Sequence, residues 1–90
     1  MVAIRKLTDN FIATDVDGEI LIVDLDGGEL FSLTGTAKSV WEAIDGSRDV
    51  DALAGAMCAM HSGDPAAIAR DVAELVQDFE KAALVEQVRL

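Results

Sequence analysis

The chain has 90 residues, 51 % of them hydrophobic and 27 % charged, which is the balance of one small globular domain spanning residues 1–90 rather than of a disordered segment. Seventeen acids against seven bases give a formal charge of −10, which argues against nucleic acid and anionic lipid as partners and favours a cationic or apolar one. Apolar runs such as Ile20 to Val23 are far short of the ~20 residues of a membrane span, Met1 to Lys6 lacks the apolar stretch of a secretory signal, and the lone Cys58 forms no intrachain disulfide, so a cytoplasmic setting is expected.

The first third of the chain reads as strands. Phe11 to Val16, Glu19 to Leu25 and Glu29 to Leu33 are separated by Asp17-Gly18 and Asp26-Gly27-Gly28. Asp-Gly between β-branched runs is hairpin chemistry, because glycine accepts the positive φ that such turns require. The pattern predicts a three-stranded antiparallel meander. Its second strand is apolar on both faces, with Ile20 and Ile22 on one and Leu21 and Val23 on the other, and so calls for at least partial cover on both. The third alternates Leu30 and Ser32 against Phe31 and Leu33 and suits an edge.

From Thr34 the apolar period changes from two to 3.6. Ala37, Val40, Trp41 and Ile44 form one helical stripe, with Thr34 or Thr36 as cap and Asp45-Gly46 as stop. A second helix follows, capped by Asp49, with Leu53, Ala56, Met57 and Met60 inward, and Ser62-Gly63 ends it. Asp64-Pro65 starts a third, in which Ile68, Val72, Leu75, Phe79 and Ala82 repeat over about four turns. The tail from Leu84 alternates weakly, as a short terminal strand would. Three strands followed by three helices is an α+β arrangement in which the helices cover one face of the sheet.

Catalytic and metal chemistry find little support. Cys58 and His61 are spaced C-x-x-H, half of a zinc site at best, and make only a thin nucleophile–base pair. Asp15-Val16-Asp17-Gly18 and Asp24-Leu25-Asp26-Gly27 miss the calcium-loop register, since Ile20 and Glu29 stand where its glycine belongs. Neither Ser47 nor Ser62 has the setting of an acyl-carrier serine. No catalytic residue, metal ligand set or cofactor is therefore expected. On the third helix Asp71, Glu74 and Asp78 share one stripe beside the apolar one, either a solvated face or the acidic wall of a groove.

Glu29-Leu30-Phe31-Ser32-Leu33-Thr34-Gly35-Thr36-Ala37-Lys38-Ser39-Val40-Trp41 resembles the signature of the PqqD-like family, also called RiPP recognition elements: an aromatic-containing strand, Leu-Asn-x-x-Gly, then an apolar residue and Trp. Asp45-Gly46-Ser47-Arg48-Asp49-Val50-Asp51-Ala52-Leu53, Ile68 to Leu75 and Ala83-Leu84-Val85 continue the likeness, which covers about residues 10 to 86. Thr34 stands for the usual Asn, and Ala37 and Ala83 for usual glycines, replacements that should cost local stability more than binding.

The resemblance implies a winged-helix-like fold and a non-catalytic peptide chaperone. Such a protein binds the leader of a ribosomally made precursor peptide and presents it to a modifying enzyme, a radical enzyme for instance, or to a leader protease of the lasso-peptide type. The leader docks as a strand added to the third strand, here Leu30, Phe31, Ser32 and Leu33, against a groove wall carried over to Ala67, Asp71, Glu74, Leu75 and Asp78. The acids would select Lys or Arg in the leader. The cost of ordering a flexible peptide sets the expected affinity at roughly micromolar to tens of nanomolar.

A protein-interaction or DNA-binding winged helix is the rival reading. Against DNA stands charge, since the helical region carries only Lys38, Arg48, Arg70 and Lys81. An exposed edge strand also leaves a homodimer open, by edge pairing or swapping.

Overall fold

The computed structural model describes residues 2–89. Its elements, in chain order, are β1 (Val2–Lys6), β2 (Phe11–Val16), β3 (Glu19–Asp24), β4 (Leu30–Leu33), α1 (Gly35–Ala43), α2 (Val50–Met60), α3 (Pro65–Lys81) and β5 (Val85–Arg89). The architecture is α+β, with an antiparallel sheet in the order β2-β3-β4 and a separate antiparallel pair β1-β5.

The meander follows from its turns. Asp17 and Gly18 both adopt positive φ, 53° and 80°, joining Val16 to its partner Glu19 in a two-residue loop. At the second turn the Asp24 carboxylate accepts from the N–H groups of Asp26 and Gly27 (3.0 and 3.2 Å), and Gly28 takes φ 72°. The terminal strand expected after Leu84 is present as β5. Its partner β1 is a strand that the alternation of the chain does not announce, because Arg5 and Lys6 interrupt the apolar pattern. Backbone pairing makes β1: Val2 to Lys6 run antiparallel to Arg89 to Val85. On its other side Ile4 N–H donates to Arg48 O (2.8 Å) and Gly46 N–H to Ile4 O (3.0 Å), so the α1–α2 connection completes the ladder. Arg48 thus belongs to this connection and not to a helix.

The helices start and stop much as their caps dictate. Asp49 accepts from Ala52 N–H, and Asp64 from Ala66 N–H with Pro65 opening α3. Thr34 is the N-cap of α1, but its side chain makes no capping bond. Two readings of helix faces need correction. Met60 is 64 % exposed at the end of α2, beyond reach of the core, while Ala54, nearer the start of the helix, is buried with Leu53 and Met57. Val76, not counted in the α3 stripe, is fully buried beside Val72 and Phe79, whereas Leu75 is half-buried at the rim.

Trp41 joins the layers. Its indole stands edge-on to Phe11 of β2 (centroids 5.2 Å apart) and to Phe79 of α3 (5.3 Å), each pair adding about 0.5–1.5 kcal/mol beyond area burial. Lys6 Nζ lies 4.7 Å from the ring centroid. Burial lowers the pKa of that ammonium, opposed by the nearby Glu42 and Asp45 carboxylates.

α3 ends in a Schellman motif. Leu84 N–H reaches Phe79 O (2.9 Å) and Ala83 N–H reaches Glu80 O (3.0 Å), with Ala83 at φ 60°. A left-handed conformation strains an L side chain, so this alanine costs stability where a glycine would not. Ala83→Gly is therefore expected to raise the unfolding free energy by about 0.5–1 kcal/mol in urea denaturation, the relief of strain outweighing the added freedom of the unfolded chain. A loss of stability would show that Ala83 is relaxed where it stands.

Candidate functional site

The backbone of β4 has one paired side and one open side. Asp24 N–H donates to Glu29 O (2.8 Å), while Leu25 N–H donates across the other edge of the hairpin to Asn10 O (2.9 Å). Bonding direction alternates along an antiparallel strand, so Ile20 and Ile22 face β4 while Leu21 and Val23 face β2. The register sets Ile22 against Phe31 and Ile20 against Leu33. Phe31 and Leu33 thus engage β3, while Leu30 and Ser32 direct their N–H and C=O groups outward, with no backbone partner among the described residues. Side chains alternate the other way, Phe31 and Leu33 turning toward the helices and Leu30 and Ser32 away from them.

Beside this edge runs α3. A cleft of about 370 Å³ opens between the start of α1 (Thr34, Thr36, Ala37) and α3 (Asp71, Glu74, Leu75, Asp78). A smaller apolar pocket of about 200 Å³ adjoins it, lined by Phe31, Leu33, Leu75, Asp78, Phe79, Ala82 and Leu84. Leu75 and Asp78 belong to both, so the two form one groove between α3 and β4. One end has an apolar floor; the other is walled by exposed carboxylates with no base in its lining.

Of the residues singled out from the sequence, the groove gathers Phe31, Leu33, Asp71, Glu74, Leu75 and Asp78. Leu30 and Ser32 contribute backbone and not groove-lining side chains. Ala67 lies half-buried one turn before Asp71 and lines neither cavity. Sequence reasoning missed Thr34, Thr36 and Ala37, which read as a helix start, and treated Phe79 and Ala82 as core only. Their spacing of four and seven from Leu75 carries the signal, since it continues the same rim down α3. Cys58 and His61 sit at the end of α2, away from the groove lining, and among the described residues no group of three or more His, Cys, Asp or Glu is placed to hold a metal ion. Among the described residues no helix is long and apolar enough to cross a membrane.

The family model described as coenzyme PQQ synthesis protein D (PqqD) matches residues 19–85, from β3 through the first residue of β5. The chain belongs to the PqqD family. The match spans β4, α1 and α3, the elements that build the groove. Among solved structures, TbiB1 in complex with the TbiA(beta) leader peptide is similar at a TM-score of 0.79, with 22 % identity over 90 % of this chain and 94 % of that one. Lasso peptide synthetase B1 complexed with the leader peptide is similar at 0.77, with 16 % identity over 94 % and 96 %. At these identities the likeness establishes the fold, which agrees with the α+β expectation. A search of curated protein sequences gives no match.

The open edge of β4 has a direct readout. In amide hydrogen exchange of the free protein, Leu30 and Ser32 are expected to exchange well ahead of Phe31 and Leu33. Equal protection of all four would mean that the edge is covered or the register inverted.

Proposed function

We propose that this PqqD-family chain is a non-catalytic module that binds the leader segment of a ribosomally made precursor peptide. The leader adds a strand to β4, and the bound peptide is presented to a modifying enzyme or a leader protease. One observation carries the reading: an edge strand with outward N–H and C=O groups at Leu30 and Ser32 lies beside a groove that accepts side chains. Main-chain bonds to such an edge supply affinity for any extended peptide, and pockets beside it supply selectivity. The two solved structures of like fold, both holding leader peptides, support the same reading.

The groove reads alternate residues of the added strand. An apolar side chain fits the pocket floored by Phe31, Leu33 and Phe79, and a Lys or Arg farther along meets Asp71, Glu74 and Asp78. With a net charge of −10, the chain also attracts a basic peptide from beyond contact range, and salt weakens that attraction. The same acids would repel the phosphates of DNA, which leaves the winged-helix regulator without a surface to use.

The test is an NMR titration with the leader of a short precursor encoded beside this chain's gene. Shifts concentrated at Leu30 to Leu33 and along α3 are expected; a silent titration with a peptide of that origin would refute the reading. Asp71→Lys combined with Asp78→Lys is expected to weaken binding at least tenfold with the melting temperature little changed, because both side chains are exposed. Unchanged affinity would remove the acids from recognition. Ser32→Pro deletes one outward donor and leaves the backbone ladder to β3 intact, losing only the Ser32 hydroxyl's bond to the Glu19 carboxylate, and binding is expected to fall with it. Normal binding by that variant would place the added strand elsewhere.

A further inference from the structure

The sheet has a second face that nothing among the described residues covers. The molecule measures 35 × 33 × 17 Å by its Cα atoms, and the short dimension holds one sheet and one helical layer. All three helices lie on the side of Phe11, Ile20, Ile22 and Leu33. On the other side the register sets Ile12, Val23 and Leu30 in one row across the three strands. They are 59, 39 and 66 % exposed, with Leu25 (55 %) and Val16 (42 %) extending the patch toward the two turns. These side chains expose on the order of a few hundred Å² of contiguous apolar surface, the size at which a patch on a small protein marks an interaction site.

Charge decides what covers it. From Phe11 to Leu33 the chain carries Asp15, Asp17, Glu19, Asp24, Asp26 and Glu29 and no Lys, Arg or His. By register Asp15 and Asp24 turn to the helix side, where Lys38 and Lys81 approach, so the outer row is rimmed by Glu19 and by the turn acids Asp17, Asp26 and Glu29. A second copy would bring the same rim against it, and an anionic bilayer would be repelled as well. The area is also small beside the roughly 800 Å² per partner of a standard interface, which fits a transient complex and not a permanent dimer.

We infer that this outer face of the β2-β3-β4 sheet docks the enzyme that acts on the bound peptide, through an apolar patch on that enzyme ringed by Lys and Arg. The assignment of the enzyme rests on the strand-addition reading, because a peptide added to β4 extends this same face by one strand. Leu30 stands at the seam. Its backbone lies on the open edge and its side chain on the outer face, so an enzyme seated here meets the side chains of the peptide that point away from the groove.

The experiment uses the full chain and the modifying enzyme or protease encoded beside its gene, with binding measured by calorimetry. Ile12→Lys combined with Val23→Lys removes the centre of the row and reverses its charge; both residues lie off the β4 edge. Affinity for the enzyme is expected to fall at least tenfold. Ile12→Thr with Val23→Thr keeps strand propensity and charge, and is expected to lose severalfold less. Raising ionic strength from about 0.05 to about 0.3 M should weaken the wild-type complex severalfold.

The leader peptide is titrated into the same proteins and should bind all of them alike, which also verifies their fold. If the peptide fails to bind the wild type while the enzyme follows the expected order, the strand-addition reading falls and the docking face stands. If the peptide binds but the enzyme ignores both variants, ignores salt, or fails to bind the wild type, the docking face is refuted. A wild-type chain that sediments as a dimer and becomes monomeric in the Lys variant would refute it too, in favour of a second copy.

Discussion

Everything that positions the groove passes through one side chain. Trp41 meets the sheet at Phe11 and the third helix at Phe79, and carries Lys6 of the first strand over its ring. A domain this small buries only about 60–65 % of the surface its unfolded chain exposes, so it has no thick core to fall back on. A large aromatic residue touching several elements at once compensates, because each contact it makes ties together parts that are distant in sequence. The spacing between α3 and β4 is an outcome of this contact, since Phe79 is both a neighbour of Trp41 and part of the groove floor. Core and site share a wall.

That sharing explains why the site is partly legible in the sequence and partly not. The β4 edge was visible because Asp-Gly turns and period-two alternation are local signals, and the acidic stripe of α3 because charge at helical spacing is local too. Capping chemistry located the starts of α2 and α3 for the same reason. Phe79 and Ala82 read as plain core because their sequence environment is that of a buried stripe. Only the distance between two packed elements tells which part of that stripe is left uncovered. Leu75 and Val76 make the point in adjacent positions: one rims the groove and the other is sealed, and no periodicity rule separates them.

The missed first strand has a different cause. Val2 to Lys6 has no strong pattern, and its backbone groups are satisfied by partners at the opposite end of the chain and in the α1–α2 connection. Such pairing is decided by what is left to bond with once the core has formed. The Asp45 to Arg48 stretch shows the converse. In sequence it is a family-like segment between helices; in space Gly46 and Arg48 bond to Ile4, and the Asp45 carboxylate, held by Ser47, stays below the usual carboxylate range.

The β1-β5 pair also determines how this domain could be joined to others. Val2 and Arg89 face each other across the ladder, four residues and about 13 Å beyond the Lys6–Val85 pair next to the core. The two ends of the described chain thus lie side by side on one ladder whose middle, at Ala3 and Ile4, is part of the core. Set into a surface loop of a larger protein, the domain would be joined through adjacent strand ends, Val2 and Arg89. Under the proposed function such a unit would be portable, and tethering it to a host would raise the local concentration of its peptide there without altering the β4 edge.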